Sequence, residues 1–168
     1  MNEKTFIWGI AVFTIILIGG AVVILGSSSK ANIAKNSQAK SEVSHKTFDF
    51  KNISYSGGNV KHSFPVKNVG KSEMKIFNMK TSCMCTTAYL KTNKETGPSF
   101  GMPGHASPNS SWVGTLRPGE EGSIVVVFDP TAHGPEGIGP LSRLISFETN
   151  DPNSSYVEFS IQGVVVKD

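Results

Sequence analysis

The sequence has few cysteines and lacks the common signatures of enzyme active sites. Only two of its 168 residues are cysteine, so its thiol chemistry is confined to the C-x-C pair Cys83 and Cys85. It contains no G-x-S-x-G elbow, no H-E-x-x-H sequence and no carboxylate pair on matched strands, which argues against a hydrolytic enzyme. We therefore expect no catalytic residues and a protein that is not an enzyme.

Charge is also sparse. The formal net charge is +3, and the lysines are spread along the chain rather than gathered in a block. Because nucleic-acid binding depends on clustered basic side chains, we expect no nucleic-acid partner.

Charge is absent altogether from residues 6–25, "FIWGIAVFTIILIGGAVVIL". At 1.5 Å per residue a helix of this length spans the roughly 30 Å hydrocarbon layer of a bilayer. A cleaved secretory signal is the alternative, but its apolar region is usually about 7–15 residues long and ends at a clear small-residue cleavage site. The sequence thus predicts a short flank, residues 1–5, followed by one uncleaved transmembrane signal anchor.

Residues 26–46 are polar and lightly basic, without an apolar period, and we expect a flexible tether there. Lys4 precedes the apolar segment and several lysines follow it, which by simple counting would place the C-terminal side in the cytoplasm. That rule is weak when a whole domain crosses the membrane. The very short N-terminal flank favours a single-pass cell-membrane protein with a cytoplasmic N-terminus and an extracytoplasmic domain.

From Thr47 onward apolar and polar residues alternate with a period of two. Examples are "VKHSFPV" from Val60 and "YVEFSIQ" from Tyr156, and Gly/Pro turns such as Pro118-Gly119 separate the runs. Such alternation is typical of antiparallel strands with one face in a core. Residues 47–168 are therefore predicted to form an all-β domain, an antiparallel β-sandwich of two sheets.

Two Gly/Pro-rich loops interrupt this pattern. The first, residues 91–111, is unusually long for a compact domain and carries Met102 and His105. The second, residues 129–140, carries His133. Long loops of this kind are often functional, so these three side chains are candidates for a binding site.

Five segments in order resemble the bacterial family called Domain of Unknown Function 1573. They are "HSFPVKNVG", "MKIFNMKTSCMCTTA", "LRPGEEGSIVVVFDP", "LSRLISFETNDP" and "FSIQGVV", and together they cover about residues 47–166. The resemblance implies an immunoglobulin-like sandwich that is exported or membrane-anchored, and it implies no established activity. The chain departs from the family pattern in having Met84 rather than glycine between the cysteines.

The cysteine pair lies in a run that reads as a β-strand. In a strand, residues i and i+2 share a face about 6.5–7 Å apart at Cα, which is at or beyond the limit of disulfide geometry. Free thiols outside the cell oxidise unless something protects them, and a bound soft metal ion would do so. Thiolates together with Met102, His105 and His133 would suit copper(I), so we predict a copper site formed by Cys83, Cys85 and these three residues.

Two other classes of function stay open. The cysteines could simply pack in the core of a metal-free structural or protein-interaction module, whose protein partner the sequence does not identify. Alternatively, the C-x-C pair could perform thiol–disulfide exchange. That chemistry needs a nearby cation or helix N-terminus to lower the thiol pKa, and the local sequence offers only Lys80.

Overall fold

The computed structural model describes residues 8–10, 12–17, 31–105 and 111–167. The chain divides after Lys30 into two units. In the first unit, residues 8–10 and 12–17 are helical. Among the described residues, none belongs to a helix long and apolar enough to cross a bilayer. Most of the predicted anchor, residues 6–25, lies outside the described residues.

The described residues of the second unit form nine β-strands in two sheets. The strands are β1 (Ser41–Val43), β2 (Thr47–Ser54), β3 (Val60–Asn68), β4 (Met74–Thr81), β5 (Thr86–Lys91), β6 (Val113–Leu116), β7 (Glu121–Phe128), β8 (Gly139–Thr149) and β9 (Tyr156–Val166). One sheet has the order β1-β3-β7-β5 and the other the order β2-β9-β8-β4-β6. Short 3-10 helices, Gly134–Gly137 and Pro152–Ser154, precede β8 and β9.

The two sheets pack face to face around an apolar core, as the alternation predicts. Phe64 of the four-stranded sheet stacks on Phe159 of the five-stranded sheet, with ring centroids 4.4 Å apart and planes at 5°. Both side chains are fully buried, and burial of one such ring stabilises the fold by about 1.5–3 kcal/mol. The predicted all-β sandwich is confirmed. One strand pair differs from the antiparallel expectation, because β2 pairs with β9 in parallel.

Residues 31–46, which the sequence assigns to the tether, belong to the folded unit. Ala39 is fully buried, and β1 adds an edge strand to the four-stranded sheet. The buried carboxylate of Asp151 accepts hydrogen bonds from Ser41 N (2.9 Å) and Ser41 Oγ (3.2 Å). This segment is held mainly by hydrogen bonds to other parts of the domain, which hydrophobic periodicity does not report. The domain therefore begins well before Thr47.

The first predicted loop, residues 91–111, is partly ordered by contacts with β5. Phe100 exchanges two backbone hydrogen bonds with Ala88, both 2.8 Å long, and its side chain is buried against Trp112. Residues 106–110 of this loop lie outside the described residues. The pairing with Ala88 brings the start of the Met102–His105 turn to the edge of β5.

Candidate thiol–imidazole site

The two cysteines lie in a turn where the chain crosses from one sheet to the other. Strand β4 ends at Thr81 in the five-stranded sheet, and β5 begins at Thr86 in the four-stranded sheet. The expectation that the cysteines lie within a strand is wrong. The backbone must bend to change sheets, and the bend is closed by a 3.2 Å hydrogen bond from Thr86 N to Cys83 O. We call residues 82–85 the thiol corner.

Buried hydroxyl and backbone groups hold the thiol corner. The side-chain oxygen of Thr81, which is 3% exposed, lies 3.0 Å from Cys83 O and 2.8 Å from Thr86 O. On the far side, Asp129 N donates to Cys85 O at 2.9 Å. Because a buried carbonyl without a partner costs about 1–3 kcal/mol, these bonds fix the position of both cysteines.

The turn brings the two sulfur atoms together. Cys85 Sγ donates to Cys83 Sγ at 2.7 Å, and Cys83 Sγ lies 3.1 Å from His133 Nε2. The three donor atoms all lie within 4.8 Å of one another. The sulfur atoms of Cys83 and Cys85 are therefore much better placed to bind one ion together than they would be at positions i and i+2 of a regular strand.

His133 is positioned by its own shaped loop between β7 and β8. The carboxylate of Asp129 accepts hydrogen bonds from Thr131 N (2.8 Å) and Thr131 Oγ1 (2.7 Å), which fold the loop back on itself. Gly134 then adopts a φ of 62°, a left-handed conformation that favours glycine. The imidazole of His133 thus reaches the thiol corner from the loop that joins β7 of the four-stranded sheet to β8 of the five-stranded sheet.

Arg143 is a further site residue that the sequence did not reveal. It lies on β8, and its Nε donates to Cys85 Sγ at 3.2 Å. The register explains the contact: Thr81 is opposite Ile145, so the antiparallel pairing carries Arg143 alongside the thiol corner. No local motif marks a residue that is brought in by strand pairing across 58 positions of sequence.

The surroundings of the two thiols shift their pKa values in opposite directions. Burial raises the pKa of Cys83, but hydrogen bonds from Cys85 and His133 and the positive charge of Arg143 outweigh it and lower the pKa to about 7. Burial raises the pKa of Cys85, and its hydrogen bond to Cys83 raises it further. Cys83 is therefore the first thiol to ionise and the more exposed of the pair.

The other two predicted ligands occupy the neighbouring turn. His105 is exposed, and its backbone N donates to Met102 O at 3.1 Å. The turn starts close to the site, because Thr81 N donates to Gly101 O at 3.2 Å. In the described part of the chain, the cluster of Cys83, Cys85 and His133 does not include His105. A ligand role for Met102 and His105 stays a prediction.

Part of the chain matches the model of a known protein family. Residues 41–99 match the family model described as "Protein of unknown function (DUF1573)". The matched region contains both cysteines of the thiol corner. It supports the resemblance drawn from the sequence, and its description assigns no activity. No curated protein matches the chain.

Two solved structures are similar to this chain, and the first of them supports the fold. A protein of unknown function from Porphyromonas gingivalis W83 is similar with a TM-score of 0.57 and 18% identity, over 78% of this chain and 50% of that one. This chain thus spans half the length of that structure. A PapD-like domain of human CEP192 has a TM-score of 0.49 and 18% identity, over 84% of this chain and 97% of that domain.

Proposed function

We propose that this β-sandwich binds one soft metal ion, copper(I), through Cys83 Sγ, Cys85 Sγ and His133 Nε2. The observation that carries the proposal is the convergence of these three donor atoms within 4.8 Å of one another. Thiolate and imidazole are ligands that copper(I) prefers, whereas calcium and magnesium prefer oxygen. The protein would hold the ion, store it or hand it to another protein.

Ligand number and charge favour copper(I) over zinc. Structural zinc sites almost always have four protein ligands, and the described cluster supplies three. With both thiols ionised, one charge from copper(I) and one from Arg143 would match the two thiolate charges. A divalent ion would leave one positive charge in excess, and uncompensated buried charge is costly. The Arg143 contact therefore supports a monovalent ion.

The proposed setting is the extracytoplasmic face of the cell membrane, with residues 6–25 as the anchor. The length and lack of charge of that segment support this setting. It also gives the metal a protective role, since unprotected thiols in an oxidising compartment become disulfides or sulfur acids. Protease digestion of intact and permeabilised cells tests the orientation: we expect the domain to be cleaved in both.

The binding test is a competition titration of copper(I) against a chromogenic chelator under anaerobic conditions. The full chain is used, in mild detergent and without an affinity tag. We expect one equivalent of copper(I) to bind, and the affinity to fall by about 100-fold or more in Cys83→Ser/Cys85→Ser. His105→Asn and Met102→Leu test the two further predicted ligands, and Arg117→Gln, at an exposed position, is the control. Binding by the wild type that is no tighter than by the double variant would overturn the proposal.

Thiol–disulfide exchange is a second candidate, favoured by the 3.2 Å contact between Arg143 and Cys85 and by the 2.7 Å separation of the sulfurs. The guanidinium is the cation that the local sequence did not supply. Equilibration with a glutathione redox buffer, followed by mass analysis, would detect an intramolecular disulfide as the loss of two hydrogens. Inert thiols together with no copper binding would instead favour a metal-free interaction module.

A further inference from the structure

Two histidines meet at another of the points where the chain crosses between sheets. Residues 44–46 lead from β1 in the four-stranded sheet to β2 in the five-stranded sheet, and we call them the imidazole corner. His45 Nε2 lies 3.0 Å from Nε2 of His62, which lies on β3. At this distance the two nitrogens face each other, and one of them must carry the hydrogen that the other accepts.

Both rings are held in place by their surroundings. Phe48 stacks on His62 with centroids 3.6 Å apart and planes at 10°, and Phe64 packs edge-on against the same ring at 4.6 Å. Ser44 Oγ lies 3.0 Å from His45 Nδ1. The two phenyl rings fix the orientation of the His62 imidazole. A hydrogen-bond partner at the second ring nitrogen, as at His45, is typical of metal-binding histidines.

We propose that His45 and His62 form a second metal site, which binds one divalent copper ion through the two Nε2 atoms. Two imidazole nitrogens 3.0 Å apart are close enough to bind one ion at metal–nitrogen distances of about 2.05 Å. Copper(II) is the divalent first-row ion bound most tightly by nitrogen ligands, and imidazole is among its preferred donors.

Binding of the ion by the two Nε2 atoms needs no other reactant to take up a proton. Both Nε2 atoms must be free of hydrogen to bind the ion, so the hydrogen shared between them moves to Nδ1 of one ring. At His45 that nitrogen faces Ser44 Oγ, an oxygen that can accept the new N–H hydrogen bond. His45 is exposed and His62 partly buried, so water can fill the remaining positions of the ion.

The test uses the full chain carrying Cys83→Ser/Cys85→Ser, so that the thiols neither bind copper nor reduce it. Copper(II) is titrated in competition with glycine, and electron paramagnetic resonance identifies the ligand atoms. We expect one copper(II) with nitrogen hyperfine structure. His45→Asn and His62→Asn should each weaken binding by about tenfold or more, while the control His105→Asn leaves it unchanged.

The proposal is overturned if the cysteine-free chain and either of its His45 or His62 variants bind copper(II) equally. It is also overturned if only His105→Asn loses copper(II) binding. If the cysteine-free chain does not fold, the wild-type chain with alkylated thiols replaces it. In that chain, substoichiometric copper(II) should first broaden the nuclear magnetic resonance signals of His45, His62 and Phe48; broadening elsewhere overturns the proposal. Because the thiols are removed or blocked, the outcome is independent of copper(I) binding at the thiol corner.

Discussion

The thiol corner and the imidazole corner are both crossings between the same two sheets, but they hold their donor atoms by different means. Thr81, Cys85 and Thr86 are buried at the thiol corner, and hydrogen bonds satisfy their polar groups. Residues 44–46 are exposed, and aromatic stacking orients the imidazoles instead. The comparison teaches that a connection between the two sheets can present sulfur donors from the edge of the core, or imidazole nitrogen donors from the surface.

The electrostatic surroundings differ as well, although they act in the same direction. The pKa of Cys83 is lowered to about 7 because hydrogen bonds and the charge of Arg143 outweigh burial. The pKa of His62 is lowered by burial and, to a smaller extent, by the charge of His45. Both shifts favour the deprotonated donor, which is the form that binds a metal. At Cys83 hydrogen bonds and a cation lower the pKa, and at His62 desolvation does so, whereas the pKa of Cys85 is raised.

The largest effect is expected from Thr81→Val, which removes the hydroxyl that two carbonyls of the thiol corner share. We expect the free energy of unfolding to fall by about 2–3 kcal/mol, measured by urea denaturation. Thr115→Val, at a partly exposed position of β6, is the matched control. Copper(II) binding at the imidazole corner should be unchanged under native conditions; its loss would show that the two corners are not independent.

The next effect is expected from Asp151→Asn, which weakens the hydrogen bonds that hold Ser41 and hence β1, the strand leading into the imidazole corner. We expect a loss of about 1–2 kcal/mol at neutral pH. Burial raises the pKa of Asp151, but hydrogen bonds from Ser41 and Asn153 outweigh it and lower the pKa below the ordinary 3.8.

The lowered pKa of Asp151 determines how the free energy of unfolding depends on pH. The stabilisation by the carboxylate is complete above the unfolded pKa of 3.8 and disappears as the pH falls through the lower folded pKa. The difference between wild type and Asp151→Asn should therefore narrow below about pH 3.8. A difference that widens on acidification would contradict the assignment.

A smaller effect is expected from His133→Asn. The variant keeps both thiolates but removes the third donor, so copper(I) affinity should fall by about tenfold, or 1.4 kcal/mol. Arg117→Gln is the control. A copper(I) affinity of His133→Asn equal to that of the control would remove the imidazole from the thiol corner and leave a two-sulfur site.

The smallest effect is expected from Arg143→Gln. In the metal-free wild type, the alkylation rate of Cys83 should rise with pH around a midpoint of about 7, because the thiolate is the reactive form. Hydrogen bonds from Cys85 and His133 remain in the variant, so losing the guanidinium charge should raise this midpoint by less than about one unit. Arg117→Gln is the control. A midpoint that falls would contradict the contact between Arg143 and Cys85.

The sequence predicts the strands well because each sheet has one face in the core. In β9, Val157, Phe159 and Ile161 are buried and alternate with more exposed residues, as the period of two requires. It does not predict the thiol corner, since "TSCMCT" contains no glycine or proline to signal a turn. The break arises because β4 pairs with β8 while β5 pairs with β7, a choice made by strands far along the chain.

The candidate site is predictable only in part for the same reason. The rarity of cysteine and histidine pointed to Cys83, Cys85 and His133, which the structure brings together. Nothing in the local sequence placed Arg143 beside Cys85, and the polar composition of residues 26–46 concealed both β1 and the contact of His45 with His62.

The parallel pairing of β2 with β9 has a consequence for the order in which the protein can form. Strand β9 lies between β2 and β8 in the five-stranded sheet, yet it is made more than a hundred residues after the start of β2. Until β9 emerges from the ribosome, β2 has no partner in its sheet. The domain must therefore complete its fold late in synthesis, and the imidazole corner, which joins β1 to β2, should be among the last regions to become ordered.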